Sequence, residues 1–349
     1  MFYFMLIILS SVLALVVFVI FGGPKLPQET NRIINEVAES ELSDIIKGKT
    51  GYAQSGKVRI WYECISPNGA PKGTILLNSS MGGDCLFWPP KFIQSFIAEG
   101  YNVIRFDQRG TGLSDWIDHW DRKKPYLLTD MAKDAVAVLD ELQIEKVHII
   151  GLSLGGMVAQ EVAIAYPERI VSLTLLSTSP NVADTELQGM STKHLLRTAI
   201  KGLPIIKYRI LGGEKNLAKE VIAKTISAYG YDDLNIKELA ELTIYNLRKR
   251  KGVNFRAIKQ HMVAASSTRS RYELLKKLSV PTFIVHGTDD QFFPIGHGEK
   301  LLELIPEATI LWLDGVMHQF PYPDMDSVNS KLLEHINQSN NQEPSILLL

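Results

Sequence analysis

The residue best suited to covalent chemistry is a serine set between glycines, where an apolar run gives way to a helical pattern. In "HIIGLSLGGMVAQEVAIAYPERI", residues 148–170, Gly151, Ser153 and Gly155 have the spacing G-x-S-x-G. A serine hydroxyl attacks poorly until a base takes its proton and donors stabilise the oxyanion that forms. Glycines two positions either side leave room for a sharp strand-to-helix turn that holds Ser153 in a strained backbone conformation. The following helix points its free N–H groups and partial positive charge at the same place, so the Leu154 N–H is an oxyanion donor candidate. By itself the motif leaves a second reading open, a packing turn with a solvent-facing serine.

The elements that must position this serine recur with a regular rhythm. "KVRIWYECI", "GTILLNSS", "YNVIRFD", "KVHIIGL", "VSLTLLS", "PTFIVHG" and "ATILWLDG" read as strands. Helical patterns such as "PPKFIQSFIAEG" and "LTDMAKDAVAVLDELQI" lie between several of them. Apolar strands alternating with helices predict an α/β class with a mostly parallel central sheet flanked by helices on both faces. Ligands of such sheets gather at the carboxyl ends of the strands, where Ser153 falls. The rhythm is interrupted over residues 181–278, which carry helical patterns and no strand pattern. An insertion of that length predicts a helical cap that walls a substrate pocket, with a core at 56–180 and 279–338.

Three further stretches accompany the serine motif: "FDQRGTGLSD", "PTFIVHGTDDQFFP" and "LDGVMHQFPYPD". Together with it they resemble the nucleophile elbow, the loop after the fourth strand, the acid loop and the histidine loop of the α/β-hydrolase superfamily, over about residues 57–335. The layout is most similar to capped serine esterases. The resemblance implies a triad of Ser153 as nucleophile, His318 as base and Asp290 as acid, in the chain order of that fold. Asp289, next to Asp290, is an alternative acid, and Asp184 a more distant one. Of the eight histidines only His318 follows a strand by a short loop late in the chain. His148 and His286 read as core residues and His297 as capping or lining a helix, while His119, His194, His261 and His335 lie in polar or helical contexts. The family's His-Gly pair after the third strand is replaced by Asn78-Ser79, so the second oxyanion N–H falls to Ser80, with Met81 next.

The resemblance implies hydrolysis of a carboxylic ester or related acyl bond through an acyl-enzyme. C–C hydrolysis or acyl transfer by the same triad, and a catalytically weak ligand-binding or scaffold protein, are the alternatives. Serine at 153 argues against the aspartate-dependent dehalogenases and epoxide hydrolases of the superfamily. No metal-ligand spacing and no dinucleotide or phosphate loop occurs, so no cofactor or metal is expected.

The chain has 349 residues, 46% hydrophobic and 21% charged, with a net charge of -1, which supports a large core and argues against a nucleic-acid binder. Cys64 and Cys85 lack ligand spacing and read as core thiols. Trp88, Trp116 and Trp120 read as core or pocket aromatics. The run Arg248-Lys249-Arg250-Lys251 before Gly252 reads as a solvated helix end, with contact to anionic lipid as the alternative. Residues 1–21, "MFYFMLIILSSVLALVVFVIF", carry no charge and are long enough to cross a bilayer. Without a basic start or a small-residue cleavage site they predict an uncleaved single-pass anchor, followed by a juxtamembrane linker and helix over 22–55. Lys25 and Arg32 after the span favour a cytoplasmic catalytic domain. An anchored enzyme suits a small-molecule or lipid-like ester.

Overall fold

The computed structural model describes residues 2–22, 26–229 and 234–341. Lys25, one of the two charges bearing on orientation, and the end of the polar tail from Gln342 lie outside the described residues. The chain divides into two compact units, Met1–Ile45 with Ser191–Gly252 and Ile46–Met190 with Val253–Leu349.

The second unit holds one eight-stranded sheet. Its strands are β1 (Lys49–Ser55), β2 (Val58–Ile65), β3 (Gly73–Asn78), β4 (Tyr101–Phe106), β5 (Val147–Leu152), β6 (Ile170–Leu176), β7 (Thr282–Gly287) and β8 (Thr309–Leu313). Their order is β1-β2-β4-β3-β5-β6-β7-β8. The β1–β2 and β2–β4 pairs are antiparallel and the rest parallel. This is an α/β-hydrolase architecture. All seven sequence-predicted strands are present, and β1 is additional. Its sequence KTGYAQS turns only Ala53 and Ser55 fully inward, so it lacks the apolar run that marks a buried strand. It pairs with β2 across a two-residue turn in which Gly56 has φ +57°, a conformation that suits glycine.

Side chains alternate across the central strands and build two cores. Ile75 and Leu77 of β3 and Ile150 and Leu152 of β5 join Phe92, Phe96, Leu332 and Ile336 on one face. Leu76 and Ile149 join Leu139, Met157 and Ala159 on the other. The first face is covered by α3 (Pro90–Ala98) and α13 (Met325–Asn340) and includes Trp88. The second is covered by α4 (Leu128–Glu141), α5 (Leu154–Ala165) and α12 (Gly296–Leu304). Two further helices belong here, α10 (Phe255–Ser267) and α11 (Tyr272–Leu275), because Ala264, Ala265 and Leu275 are buried in that same core. Residues 253–278 therefore pack with the sheet, whereas 191–252 cluster with the N-terminal helices.

The first unit is helical: α1 (Phe2–Phe21), α2 (Gln28–Glu39), α6 (Thr192–Gly202), α7 (Ile206–Leu211), α8 (Glu214–Tyr229) and α9 (Ile236–Lys249). A small core of Ile34, Val37, Ala218, Ile222, Ala240 and Ile244 joins α2, α8 and α9. Arg248 donates to Glu214 and to the Ser40 carbonyl at the end of α2, so this member of the basic run is tied into the helical unit. The helix α1 is long and apolar enough to cross a membrane over Tyr3–Phe21, and that stretch is unburied.

Candidate active site

Ser153 lies between the last residue of β5 and the first of α5, with φ 54° and ψ -116°. A non-glycine residue at positive φ is strained, and its surroundings must hold it there. The Ser153 N–H donates to the Leu176 carbonyl at 2.9 Å, and its own carbonyl accepts the Thr178 hydroxyl at 2.6 Å. The flanking glycines are required by close approach. A Cβ on Gly151 would lie 2.3 Å from the Gly155 carbonyl oxygen, and one on Gly155 would lie 2.1 Å from the Asn78 carbonyl oxygen. The turn and the packing are thus one feature, since α5 can approach β3 and β5 this closely only without those side chains.

The His318 ring sits against the serine. Its Nε2 is 3.1 Å from Ser153 Oγ, and its Nδ1 is 2.7 Å from Asp290 Oδ2. The Asp290 carboxylate is inaccessible to solvent, and its other oxygen accepts the Phe292 and Phe293 N–H groups, each at 2.8 Å. These bonds fix the carboxylate so that Oδ2 faces the imidazole. The Phe292 and Phe293 rings flank His318 at centroid distances of 4.9 and 5.4 Å. Asp289 is exposed, and Asp184 accepts a hydrogen bond from the Tyr272 hydroxyl. Neither alternative acid is hydrogen-bonded to the histidine. His148 and His286 are buried, and His286 Nε2–H donates to the Phe293 carbonyl at 2.7 Å.

Leu154 opens α5, and among the described residues its N–H has no intramolecular partner. The same holds for the N–H groups of Ser80 and Met81, so geometry leaves both as second donors. Several bonds shape the loop that carries them. Ser79 Oγ donates to the Gly83 carbonyl at 3.0 Å, and Gln108 Nε2 donates to the Ser79 carbonyl at 2.6 Å. Asp107 accepts from the Cys85 and Leu113 N–H groups, and Gly112, at φ +46°, approaches that carboxylate too closely for any Cβ. Arg109 pairs with buried Asp134 at 2.6 Å. Asn78 is fully buried, and its amide has no partner among the described residues.

Sequence reasoning missed His261. It is fully buried on α10, accepts the Gly82 N–H on Nδ1 at 3.0 Å and donates from Nε2 to the Arg109 carbonyl at 2.9 Å. Burial pulls its pKa down to about 4, so it is neutral in a single tautomer. It joins the loop after β3 to the loop after β4. The signal was available in the helical stripe Ala257, His261, Ala264 and Thr268, which marks a buried face. Among the described residues no group of three or more His, Cys, Asp or Glu is placed to hold a metal ion.

A serine on a strained elbow at the carboxyl end of a central parallel strand, with this topology, defines a class. The family model for the alpha/beta hydrolase fold matches residues 73–315, and the chain belongs to that family. It is an enzyme, a serine hydrolase. It is 26% identical over 296 residues to rhodomycin D methylesterase DauP of Streptomyces sp. (strain C5), covering 80% of this chain and 95% of that protein. It is also 26% identical over 311 residues to a 2-hydroxy-6-oxononadienedioate/2-hydroxy-6-oxononatrienedioate hydrolase of Pseudomonas sp., covering 87% and 98%. Among solved structures, the esterase EaEST of Exiguobacterium antarcticum is similar in fold, with a TM-score of 0.63 at 18% identity, covering 83% of this chain and 100% of that one.

Proposed function

We propose that this protein is a membrane-anchored serine hydrolase that cleaves a carboxylic ester through an acyl-enzyme. The observation that carries the reading is the hydrogen-bonded chain from Ser153 through His318 to Asp290. His318 Nε2 takes the Ser153 proton as the hydroxyl attacks the ester carbonyl, and Asp290 holds the Nδ1–H tautomer and stabilises the imidazolium. The Leu154 N–H and the Ser80 N–H receive the oxyanion. His318 then returns the proton to the departing alcohol, leaving the acyl group on Ser153. Water, deprotonated by His318, attacks that ester and releases the acid.

The similarity to a methylesterase supports an ester as substrate, and the apolar helix α1 supports the anchor. Arg32, together with Lys25, favours the cytoplasmic side for the catalytic unit. Cleavage of a C–C bond by the same residues is the second reading, favoured by the similarity to the dienedioate hydrolase. The test is an acyl-chain-length panel of esters on the whole chain with Ser153→Ala beside it. Turnover and fluorophosphonate labelling should both vanish in the variant, and undiminished turnover would refute the proposal. Product analysis with and without added alcohol separates hydrolysis from acyl transfer, and a keto-acid panel tests the C–C reading.

A further inference from the structure

The helical unit carries an apolar surface that its own core does not use. No residue of α6 is buried, and Leu195, Leu196 and Ile200 are 51%, 61% and 47% exposed. On the wheel of a 3.6-residue helix these residues and Ala199 share one face, with Lys193 at its border and Arg197 and Lys201 continuing a basic stripe round the adjoining side. The neighbouring α7 continues the surface with Ile206, Ile210 and Leu211, the last two 75% and 68% exposed. Residues 192–213 contain five Lys or Arg and no Asp or Glu. Among the described residues, Lys193, Arg197 and Lys201 have no carboxylate partner.

Two observations say what covers this surface. The first is continuity with α1. The turn Leu203–Ile205 packs against α1 and α6, and α7 also touches α1. Lys207 Nζ donates to the Ile20 carbonyl at 3.1 Å, at the carboxyl end of α1. The surface therefore begins where the apolar span ends. The second is charge. A basic border beside an unburied apolar face matches the interfacial zone of an anionic bilayer, with hydrocarbon below and phosphate at the rim.

We infer that α6 and α7 form an interfacial docking surface for an anionic lipid bilayer, lying in its plane beside the membrane-spanning α1. The inference rests on the anchor reading above. The bilayer takes up the apolar face, and the lysine and arginine stripe meets the headgroups.

The test uses the whole chain in vesicles of phosphatidylcholine with or without phosphatidylglycerol. An environment-sensitive dye is attached at Leu196→Cys, or at Thr198→Cys on the opposite side of α6, with Cys64→Ser and Cys85→Ala in the background. Turnover of a short soluble ester confirms that each labelled chain is folded. Lipids bearing a nitroxide near the headgroup should quench the dye at 196 severalfold more than the dye at 198, and more strongly with phosphatidylglycerol. Combining Lys193→Glu, Arg197→Glu and Lys201→Glu should lower the docking equilibrium on the order of a hundredfold, each lost basic contact contributing about fivefold. Flotation resistant to alkaline carbonate reads the anchor separately. Equal, weak quenching at both positions with flotation intact overturns the docking surface and leaves the anchor standing. Dye–dye contact between copies without lipid quenching also overturns it, by giving the face to a second copy. A chain that fails to float overturns both.

Discussion

The surroundings of Ser153 and the surface of α6 are opposite solutions to where small and apolar residues are spent. At the serine, Gly151, Gly155 and Gly156 lie where any Cβ would strike a neighbour, and Ser153, His318 and Asp290 are joined by hydrogen bonds. On α6 the leucines and Ile200 face outward, and Gly202 has open space around it. Around the serine, packing and hydrogen bonds leave little room for movement, the kind of placement that positioning of reacting groups calls for. The helical unit keeps apolar area unburied, which suits adhesion rather than positioning. Substitutions at corresponding depths of the two regions should therefore differ sharply in cost.

The largest effect is expected at Asp290. In Asp290→Asn the amide can still accept the Phe292 and Phe293 N–H groups through its oxygen, but then presents its NH2 to His318. The ring is driven to the wrong tautomer, and Nε2 can no longer accept the serine proton. Turnover of a short ester should fall by about 10⁴-fold with little change in thermal stability. Asp289→Asn, at the exposed neighbour, should stay within about twofold of the parent. Comparable losses in both variants would mean that the acid is not Asp290.

The next largest contrast is between glycines. Gly155→Ala would set a methyl group 2.1 Å from the Asn78 carbonyl oxygen, a clash of backbone with backbone that no rotamer relieves. Separating α5 from β3 to make room should cost about 3 kcal/mol or more, read as a lowered denaturant midpoint. Gly202→Ala, at φ -75° with nothing within 4 Å, should instead gain about 0.5–1 kcal/mol, because alanine loses less backbone freedom on folding. Equal effects at the two sites would erase the distinction between the regions.

These particulars also show what the sequence made legible. The interior strands were readable because burial on both faces writes a continuous apolar run, as in HIIGL of β5. The edge strand β1 was not, because it turns few residues inward and those are Ala53 and Ser55. The boundary of the helical insertion was blurred for a similar reason: α10 buries alanines and a histidine, which carry little hydropathy signal. At the serine the motif left packing and nucleophile as rival readings of the glycines. The Gly151–Gly155 approach and the φ of Ser153 show that close packing and a strained serine backbone are features of one turn. Ser80 and Met81 are alike as donor candidates in the sequence and in the fold, because among the described residues neither N–H has an intramolecular partner.

His261 sharpens the comparison at its finest scale, since it shapes the site without touching Ser153 or His318. Its Nδ1 must be unprotonated to accept the Gly82 N–H, and its Nε2–H must be present to reach the Arg109 carbonyl. With a folded pKa of about 4 against an ordinary 6.5, the unfolded chain binds the proton first as pH falls. Stability is therefore fully present above about 6.5 and is lost as pH drops toward 4, by up to about 3 kcal/mol for this residue. His148 and His335, also drawn down to about 4 by burial, add to the same slope. His286 and His297, lowered by burial as well, act in the same direction, so His261→Gln should flatten that slope only in part, removing one of five contributions. Glutamine offers one acceptor and one donor group, so it can bridge the same two loops imperfectly. Its kcat for a short ester should fall about tenfold with KM nearly unchanged, because a displaced loop weakens transition-state more than ground-state contacts. An unchanged slope between pH 6.5 and 4 would show that the histidine is not held neutral by burial. A rise in KM at constant kcat would assign the loop to substrate binding instead.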